Sequence, residues 1–151
     1  MQNVGCSDAD WASNTVNRHS VSGYSFYFQG SLVSWSAVKQ KSIALSSTEA
    51  EYYTSAMDFL GLLRFPVPQP FPILTDNQAA CSLSTSLAIS ARSKHIDICH
   101  HFIRDHVQAR SFSTTWIPMM EDMPADIFTK PLSSTLFYRH REVLGLSEPP
   151  L

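Results

Sequence analysis

Three strand-favouring runs follow one another within the first forty residues, and this spacing limits the fold more than any other feature of the sequence. The runs cover 4–11, which ends in acidic residues, the aromatic segment Tyr24–Phe28, and Leu32–Val38. Gln29 and Gly30, between the second and third runs, predict a tight hairpin turn. Because strands joined by short connections pair with their neighbours in opposite directions, the sequence predicts an antiparallel three-stranded meander.

The rest of the chain alternates between helix-favouring and strand-favouring segments. A helix is predicted from Ser46 to about Leu63, with Ser47 or Thr48 as its cap and glutamates in its first turn, where the helix dipole favours them. Prolines at alternate positions over 65–72 prevent helix there and indicate a stiff connector. The later predicted elements are a strand over 71–76, helices over 77–83 and 94–108, a strand over 113–117, and helices over 121–130 and 133–146. This order predicts a mixed α/β (or α+β) fold, with one sheet flanked by helices.

Length and composition indicate one globular domain, which we expect over 1–146, with a disordered C-terminal tail at 147–151. The net charge of −2 excludes the overall basic excess typical of proteins that wrap nucleic acid, so such a partner would have to be contacted locally. No segment has the length of a membrane span, and the N-terminus has no signal-peptide pattern. Three cysteines are too few for a disulfide framework. We therefore expect an intracellular protein, cytoplasmic or nuclear, that is neither secreted nor membrane-bound.

Four acidic residues occupy positions from which their side chains can converge. Asp8 and Asp76 lie at the ends of predicted strands, whereas Glu51 lies early in a helix and Asp126 in a late short helix. Ligands commonly gather at such an edge of an α/β sheet, and carboxylate oxygens suit Mg²⁺ or Mn²⁺. Glu49 and Glu51 differ by about 200° around a helix, so only one of them can face the sheet, and periodicity leaves open which. For each acid taken alone, a solvated surface position is the alternative.

A series of sequence blocks in a fixed order carries a family resemblance. The blocks are Cys6–Ala12, Arg18–Tyr24, Ser34–Trp35, Gln40–Lys41, Ala44–Tyr53, Thr75–Ala80, Ser93–Asp97, His101–Arg104 and Ala125–Leu132. Together they resemble the ribonuclease H domain of copia-type LTR retrotransposon Pol polyproteins, over nearly the whole chain. The resemblance implies the ribonuclease H fold, which is a mixed five-stranded sheet flanked by helices.

The same resemblance implies an activity and a site. Members of this family hydrolyse the RNA strand of RNA–DNA hybrids with two Mg²⁺ ions, for which Mn²⁺ can substitute. Carried over motif by motif, the metal-binding and catalytic residues are Asp8, Glu51, Asp76 and Asp126. Asp8 is implied to bridge both ions, Asp76 to help place the ion that activates water, and Glu51 to hold the other ion. The stretch 117–124 lacks the histidine that some ribonucleases H have before their last catalytic helix.

Two groups of residues are candidates for contact with the hybrid. Polar residues near the acids could reach the 2′-hydroxyls or phosphates that mark RNA: Ser47, Thr48 and Gln78. The segment 92–110 concentrates positive charge that could contact phosphates, with a solvated helix face as the alternative. Its candidate contacts are Arg92, Lys94 and His95.

Two departures from the family pattern leave a second hypothesis open, that of a catalytically inactive retroelement relic or a module that binds hybrids without cutting them. The family's long helix normally continues beyond Met57–Leu63, whereas here the proline connector follows at once, so the helix is short by about two turns. In working elements a reverse transcriptase domain is fused N-terminally, and we expect it as a partner, but this chain starts at the first strand. The presence of all four acids favours the enzyme.

Overall fold

Five strands form one mixed sheet in the computed structural model, which describes residues 3–13, 16–41, 43–62, 69–85, 97–118 and 123–147. For residues 53, 56–62 and 97–101 it describes the backbone. The strands are β1 Asn3–Asp10, β2 Val21–Phe28, β3 Ser31–Lys39, β4 Phe71–Thr75 and β5 Phe112–Trp116. Their order across the sheet is β3-β2-β1-β4-β5; β1, β2 and β3 pair antiparallel, whereas β4 is parallel to both β1 and β5. The predicted meander and mixed five-stranded sheet are confirmed.

Helices pack on the sheet through two apolar clusters. The helices are α1 Ser47–Leu62, α2 Gln78–Thr85, α3 Asp97–Gln108, a 3₁₀ helix Pro124–Phe128 and α4 Ser134–Val143. In the first cluster Tyr52 of α1 and Ile103 of α3 pack with aromatic residues of β2, β4 and β5. In the second, Ala125 of the 3₁₀ helix packs with Cys6 of β1 and Tyr27 of β2. Strand β1 lies in the middle of the sheet, supplies Cys6 to the second cluster and is buried from Val4 to Ala9. It is therefore the central strand of the fold.

Local geometry corrects two sequence-based predictions. Ser46, rather than Ser47 or Thr48, caps α1, because its hydroxyl accepts a hydrogen bond from the Glu49 amide at 3.1 Å. The helix predicted over 121–130 is a 3₁₀ helix in the described residues, with a proline in its first turn, and it is closed by a hydrogen bond from the Thr129 amide to the Asp126 carbonyl at 3.2 Å. Residues 119–122 lie outside the described residues, as do 86–96, into which the predicted start of α3 falls.

The predicted turn at Gln29 and Gly30 is confirmed, and its backbone explains the glycine at position 30. The φ angles are +50° at Gln29 and +81° at Gly30, so both central positions are left-handed, as a two-residue hairpin turn with the twist of its strands requires. No helix in the described ranges is both long enough and apolar enough to cross a membrane. The domain boundary at 146 and the tail at 147–151 stay predictions, since 148–151 lie outside the described residues.

A glycine in β2 allows the 3₁₀ helix to lie directly against the sheet. Gly23 pairs with Asp8 across the β1–β2 ladder. A Cβ atom added at Gly23 would lie 2.6 Å from Thr129 Cγ2, 2.8 Å from Phe128 Cβ and 3.1 Å from the Ala125 carbonyl oxygen. Even alanine would therefore push away the segment that carries Asp126.

We expect Gly23→Ala to lower the free energy of unfolding by about 1–3 kcal/mol, because the added methyl overpacks a rigid contact. Urea unfolding measured by circular dichroism checks this. Thr129→Ser, which deletes the nearest methyl group, serves as the matched partner. In the double variant the loss should be smaller than the sum of the two single losses. An additive pair of losses would contradict steric conflict at this contact.

Candidate active site

Three carboxylates meet where β1 and β4 end. Because β4 runs parallel to β1, Asp76, the residue after β4, emerges at the same edge of the sheet as Asp8. Glu51 reaches this point from the first turns of α1. One carboxylate oxygen of each of these three residues lies within 4.8 Å of the others. The structure thus brings together three of the four acids predicted to form one site.

Glu51, rather than Glu49, faces the sheet, which settles the question that helical periodicity leaves open. Glu51 is 4 % exposed, and its Oε1 accepts a hydrogen bond from the Ala9 amide at 2.8 Å. Its Oε2 is buried and has no hydrogen-bond partner among the described residues. Glu49 is turned outward, where its carboxylate accepts a hydrogen bond from the Leu45 amide at 2.7 Å. One oxygen of Glu51 is therefore fixed by the backbone beside Asp8, and the other is left for a ligand.

Buried polar contacts hold the first turns of α1 on the sheet. Gln40 Nε2 donates to the Ala50 carbonyl at 3.0 Å and to Ser22 Oγ at 2.8 Å. Thr54 Oγ1 donates to the same Ser22 hydroxyl at 2.7 Å. Because hydrogen bonds are directional, this network fixes the rotation of the helix at Glu51. Among the described residues, these contacts at the start of α1 support Glu51.

Asp8 is 2 % exposed and is contacted by residues that follow the 3₁₀ helix. Thr129 Oγ1 donates a hydrogen bond to Asp8 Oδ2. Lys130 Nζ lies 3.5 Å from Asp8 Oδ1 and 3.0 Å from Asp126 Oδ1. Asp126 is not one of the three acids whose oxygens cluster, but Lys130 connects it to them.

Burial and mutual repulsion raise the pKa values of the acids in this site. Burial, with a further contribution from the charge of Asp8, raises the pKa of Glu51 well above its usual range. The same two causes, in the same order, raise the pKa of Asp76. They bring the pKa of Asp126 to about 6, although Lys130 acts in the opposite direction. Each carboxylate therefore loses its proton less readily while the site holds no further positive charge.

The predicted hybrid contacts fall into two groups. Ser47 and Thr48 lie in the first turn of α1, and Gln78 begins α2 directly after Asp76 and Asn77. Ser47 and Gln78 are exposed, so both helix starts present polar groups at the edge of the sheet where the acids lie. The second group lies outside the described residues: Arg92, Lys94 and His95.

Sequence reasoning did not single out two residues that contact the acids, Thr129 and Lys130. A signal was present, because Asp126 and Lys130 have the i,i+4 spacing of a helical ion pair. The hydrogen bond of Thr129 to Asp8 had no comparable signal, since the two residues are 121 positions apart.

Curated relatives cover nearly the whole chain. The Pol polyprotein of the retrovirus-related transposon TNT 1-94 from Nicotiana tabacum is 36 % identical over 150 residues, which is 94 % of this chain and 11 % of the relative. That of transposon RE1 from Arabidopsis thaliana is 36 % identical over 153 residues, which is 95 % of this chain and 10 % of the relative. The chain thus spans about a tenth of the length of these relatives. No protein-family model matches it.

Solved structures show the same fold at low sequence identity. The N-terminal RNase H domain of Rv2228c from Mycobacterium tuberculosis, determined as a fusion with maltose binding protein, is 10 % identical with a TM-score of 0.67, over 94 % of this chain and 97 % of that one. LC11-RNase H1, crystallised in complex with an RNA/DNA hybrid, is 12 % identical with a TM-score of 0.63, over 85 % of this chain and 94 % of that one. The chain is therefore homologous to one segment of retrovirus-related Pol polyproteins from plant transposons, and it has the ribonuclease H fold.

Proposed function

We propose that this chain is a ribonuclease H-type endonuclease that hydrolyses the RNA strand of RNA–DNA hybrids. The reaction uses two divalent metal ions, primarily Mg²⁺. One observation carries the proposal: oxygens of Asp8, Glu51 and Asp76 lie within 4.8 Å of one another at the edge of a ribonuclease H-type sheet. Homology to transposon Pol polyproteins and the shared ribonuclease H fold support it.

The chemistry of the donor set fits divalent cations. Carboxylate oxygens are the hard ligands that Mg²⁺ and Mn²⁺ prefer. Glu51 Oε2 is a buried oxygen without a hydrogen-bond partner among the described residues, which a bound cation would satisfy. Burial first, and the charge of Asp8 second, raise the pKa values of Glu51, Asp76 and Asp126, and a bound cation would offset the second of these effects. When bound, divalent cations supply the Lewis acidity that lowers the pKa of an attacking water and stabilises the leaving 3′ oxygen.

The chain's own residues fix the positions of these ligands. Thr129 holds one oxygen of Asp8, whose charge acts on each of the other three acids and which is the candidate shared ligand. The Ala9 amide holds Oε1 of Glu51, so Oε2 is the oxygen that would bind. Asp76 and Asp126 are less buried than Asp8, so they would complete the site on its solvent side. The hydrolysis needs no protein nucleophile, because water attacks phosphorus and the 3′ oxygen leaves with a proton.

The starts of two helices are the proposed contact with the hybrid. Amides at the first turns of α1 and α2 favour phosphate, and the exposed Ser47 and Gln78 can donate to phosphate or to 2′-hydroxyls. The hybrid complex of LC11-RNase H1, which has the same fold, supports this partner. Roles of Arg92, Lys94 and His95 stay predictions. The proposal includes a reverse transcriptase domain as partner in the polyprotein, and an intracellular location.

We expect the purified chain to cleave the RNA strand of a labelled RNA–DNA hybrid in Mg²⁺ and to be inactive in excess EDTA. Asp76→Asn should lower the cleavage rate at least about 100-fold, because it removes the charge of a direct metal ligand. Glu142→Gln is the matched control, since Glu142 is exposed on α4, away from the candidate contacts with the hybrid. Strand-specific gel analysis of single-turnover reactions measures both variants.

Cleavage that survives Asp76→Asn, or that removes the DNA strand, would contradict the proposal. A cooperatively folded chain that retains the hybrid on a filter without cutting it would instead establish the binding module. Absence of both cutting and binding by a folded chain would establish the relic.

Without divalent cations, stability should fall as the pH rises. The folded state holds the pKa of Asp126 at about 6 against an ordinary value of 3.8, so the folded protein binds this proton more tightly than the unfolded chain. The resulting stabilisation is complete below about pH 4 and is lost as the pH rises through about 6. Asp126→Asn should therefore gain stability relative to the wild type over this range, as measured by urea unfolding in EDTA.

Saturating Mg²⁺ should restore the advantage of the wild type at neutral pH, because the ionised carboxylate then binds a cation. If Asp126→Asn were less stable than the wild type at neutral pH in EDTA, repulsion would not be the dominant effect at this residue.

A further inference from the structure

Lys130 lies among the acids, and the proposed cleavage assigns it no role. Its Nζ contacts Oδ1 of Asp126 at 3.0 Å and Oδ1 of Asp8 at 3.5 Å. Lys130 supplies the positive charge in both of these contacts. The side chain is 35 % exposed, whereas that of Asp8 is 3 % exposed. A flexible lysine therefore reaches from the solvent side to a buried carboxylate.

The two oxygens that Lys130 contacts face one common position. A divalent cation bound to both Asp8 Oδ1 and Asp126 Oδ1 would have to take the place of the ammonium, because Mg²⁺ binds oxygen at about 2.1 Å. The Lys130 ammonium and a cation bound to the same two carboxylates would also repel each other strongly, because both would contact the same oxygens. By contrast, Glu51 Oε2 and Asp76 make no direct ion pair with Lys130 in the described part of the chain, although its charge acts on both, so a cation bound to these two acids would not have to take the place of the ammonium.

We propose that Lys130 is the resident counter-cation of this site. It stabilises the acids while no metal is bound, and it competes with a divalent cation for the position between Asp8 and Asp126. The unbranched stem of Lys130 can swing into solvent without movement of the 3₁₀ helix, so the competition is reversible. This inference rests on the proposed function, which requires that divalent cations bind at this site. It adds that the two cation positions differ in affinity, because Lys130 competes at one of them.

Binding of Mn²⁺ to the purified chain tests the inference without reference to cleavage. Electron paramagnetic resonance of free Mn²⁺ at low ionic strength gives the affinity of each position. We expect Lys130→Met, which keeps the aliphatic stem, to tighten the weaker position about tenfold or more. Lys130→Arg keeps the charge and should bind like the wild type, as should Lys41→Met, which alters an exposed lysine beyond β3.

Thermal unfolding supplies the second readout. In EDTA, Lys130→Met should lower the Tm by roughly 2–6 °C, because the carboxylates lose their counter-charge, and Mn²⁺ should recover more of the Tm than it does in the wild type. A merely structural lysine would give an equal loss of Tm with and without Mn²⁺ and unchanged affinity, and that result would overturn the inference. Lys130→Gln provides the same comparison should the methionine variant not fold.

The two proposals fail separately. A wild type that cleaves hybrids while Lys130→Met has unchanged Mn²⁺ affinity would overturn the role of Lys130 alone. Tighter binding by Lys130→Met in a chain that cleaves nothing would support Lys130 and overturn the nuclease. If neither protein bound Mn²⁺, both proposals would be overturned.

Discussion

Strand β1 pairs with β2 on one side and with β4 on the other, and every element of the candidate site is held by contacts to it. Glu51 is fixed by the amide of Ala9, the residue after Asp8. Asp76 is brought to the same edge by the parallel pairing of β4 with β1. Asp126 arrives on a 3₁₀ helix that lies against β1 and β2 through the gap left by Gly23. The sheet thus fixes the distances between carboxylates that would move apart by mutual repulsion in a flexible chain.

The surroundings of the two buried acids, Asp8 and Glu51, are polar. Asp8 is held by the hydroxyl of Thr129 and the ammonium of Lys130, and Glu51 is held by a backbone amide. The first turns of α1 are fixed on the sheet by Gln40, Ser22 and Thr54 rather than by apolar contacts alone. A buried charge is tolerated when its hydrogen bonds are made, and these contacts supply them at both oxygens of Asp8 and at Oε1 of Glu51.

Much of the fold could be predicted from the sequence because its signals are local. Alternating and aromatic runs predicted the strands, and Gln29 with Gly30 predicted the hairpin. The family resemblance predicted the four acids together, of which the structure brings three within 4.8 Å of one another, whereas spacing alone could not choose between Glu49 and Glu51. That choice depends on a contact with Ala9, 42 positions away, which no local pattern encodes. Sequence patterns missed the cap at Ser46, because a one-residue shift of a cap leaves the apolar pattern almost unchanged. They also missed the 3₁₀ geometry of 124–128, because a change of helix type at a proline has equally little effect on that pattern.

The wide separation of the acids along the chain has a consequence for the path of folding. Asp8, Glu51, Asp76 and Asp126 come from different parts of the sequence, and β1 can pair with β2 before β4 or the 3₁₀ helix arrives. Contacts between distant segments close long loops and tend to form late. We therefore expect the repulsion between these acids to be weak while the meander forms and to develop as the later elements dock. A counter-charge that relieves this repulsion should therefore slow unfolding of the protein more than it speeds folding.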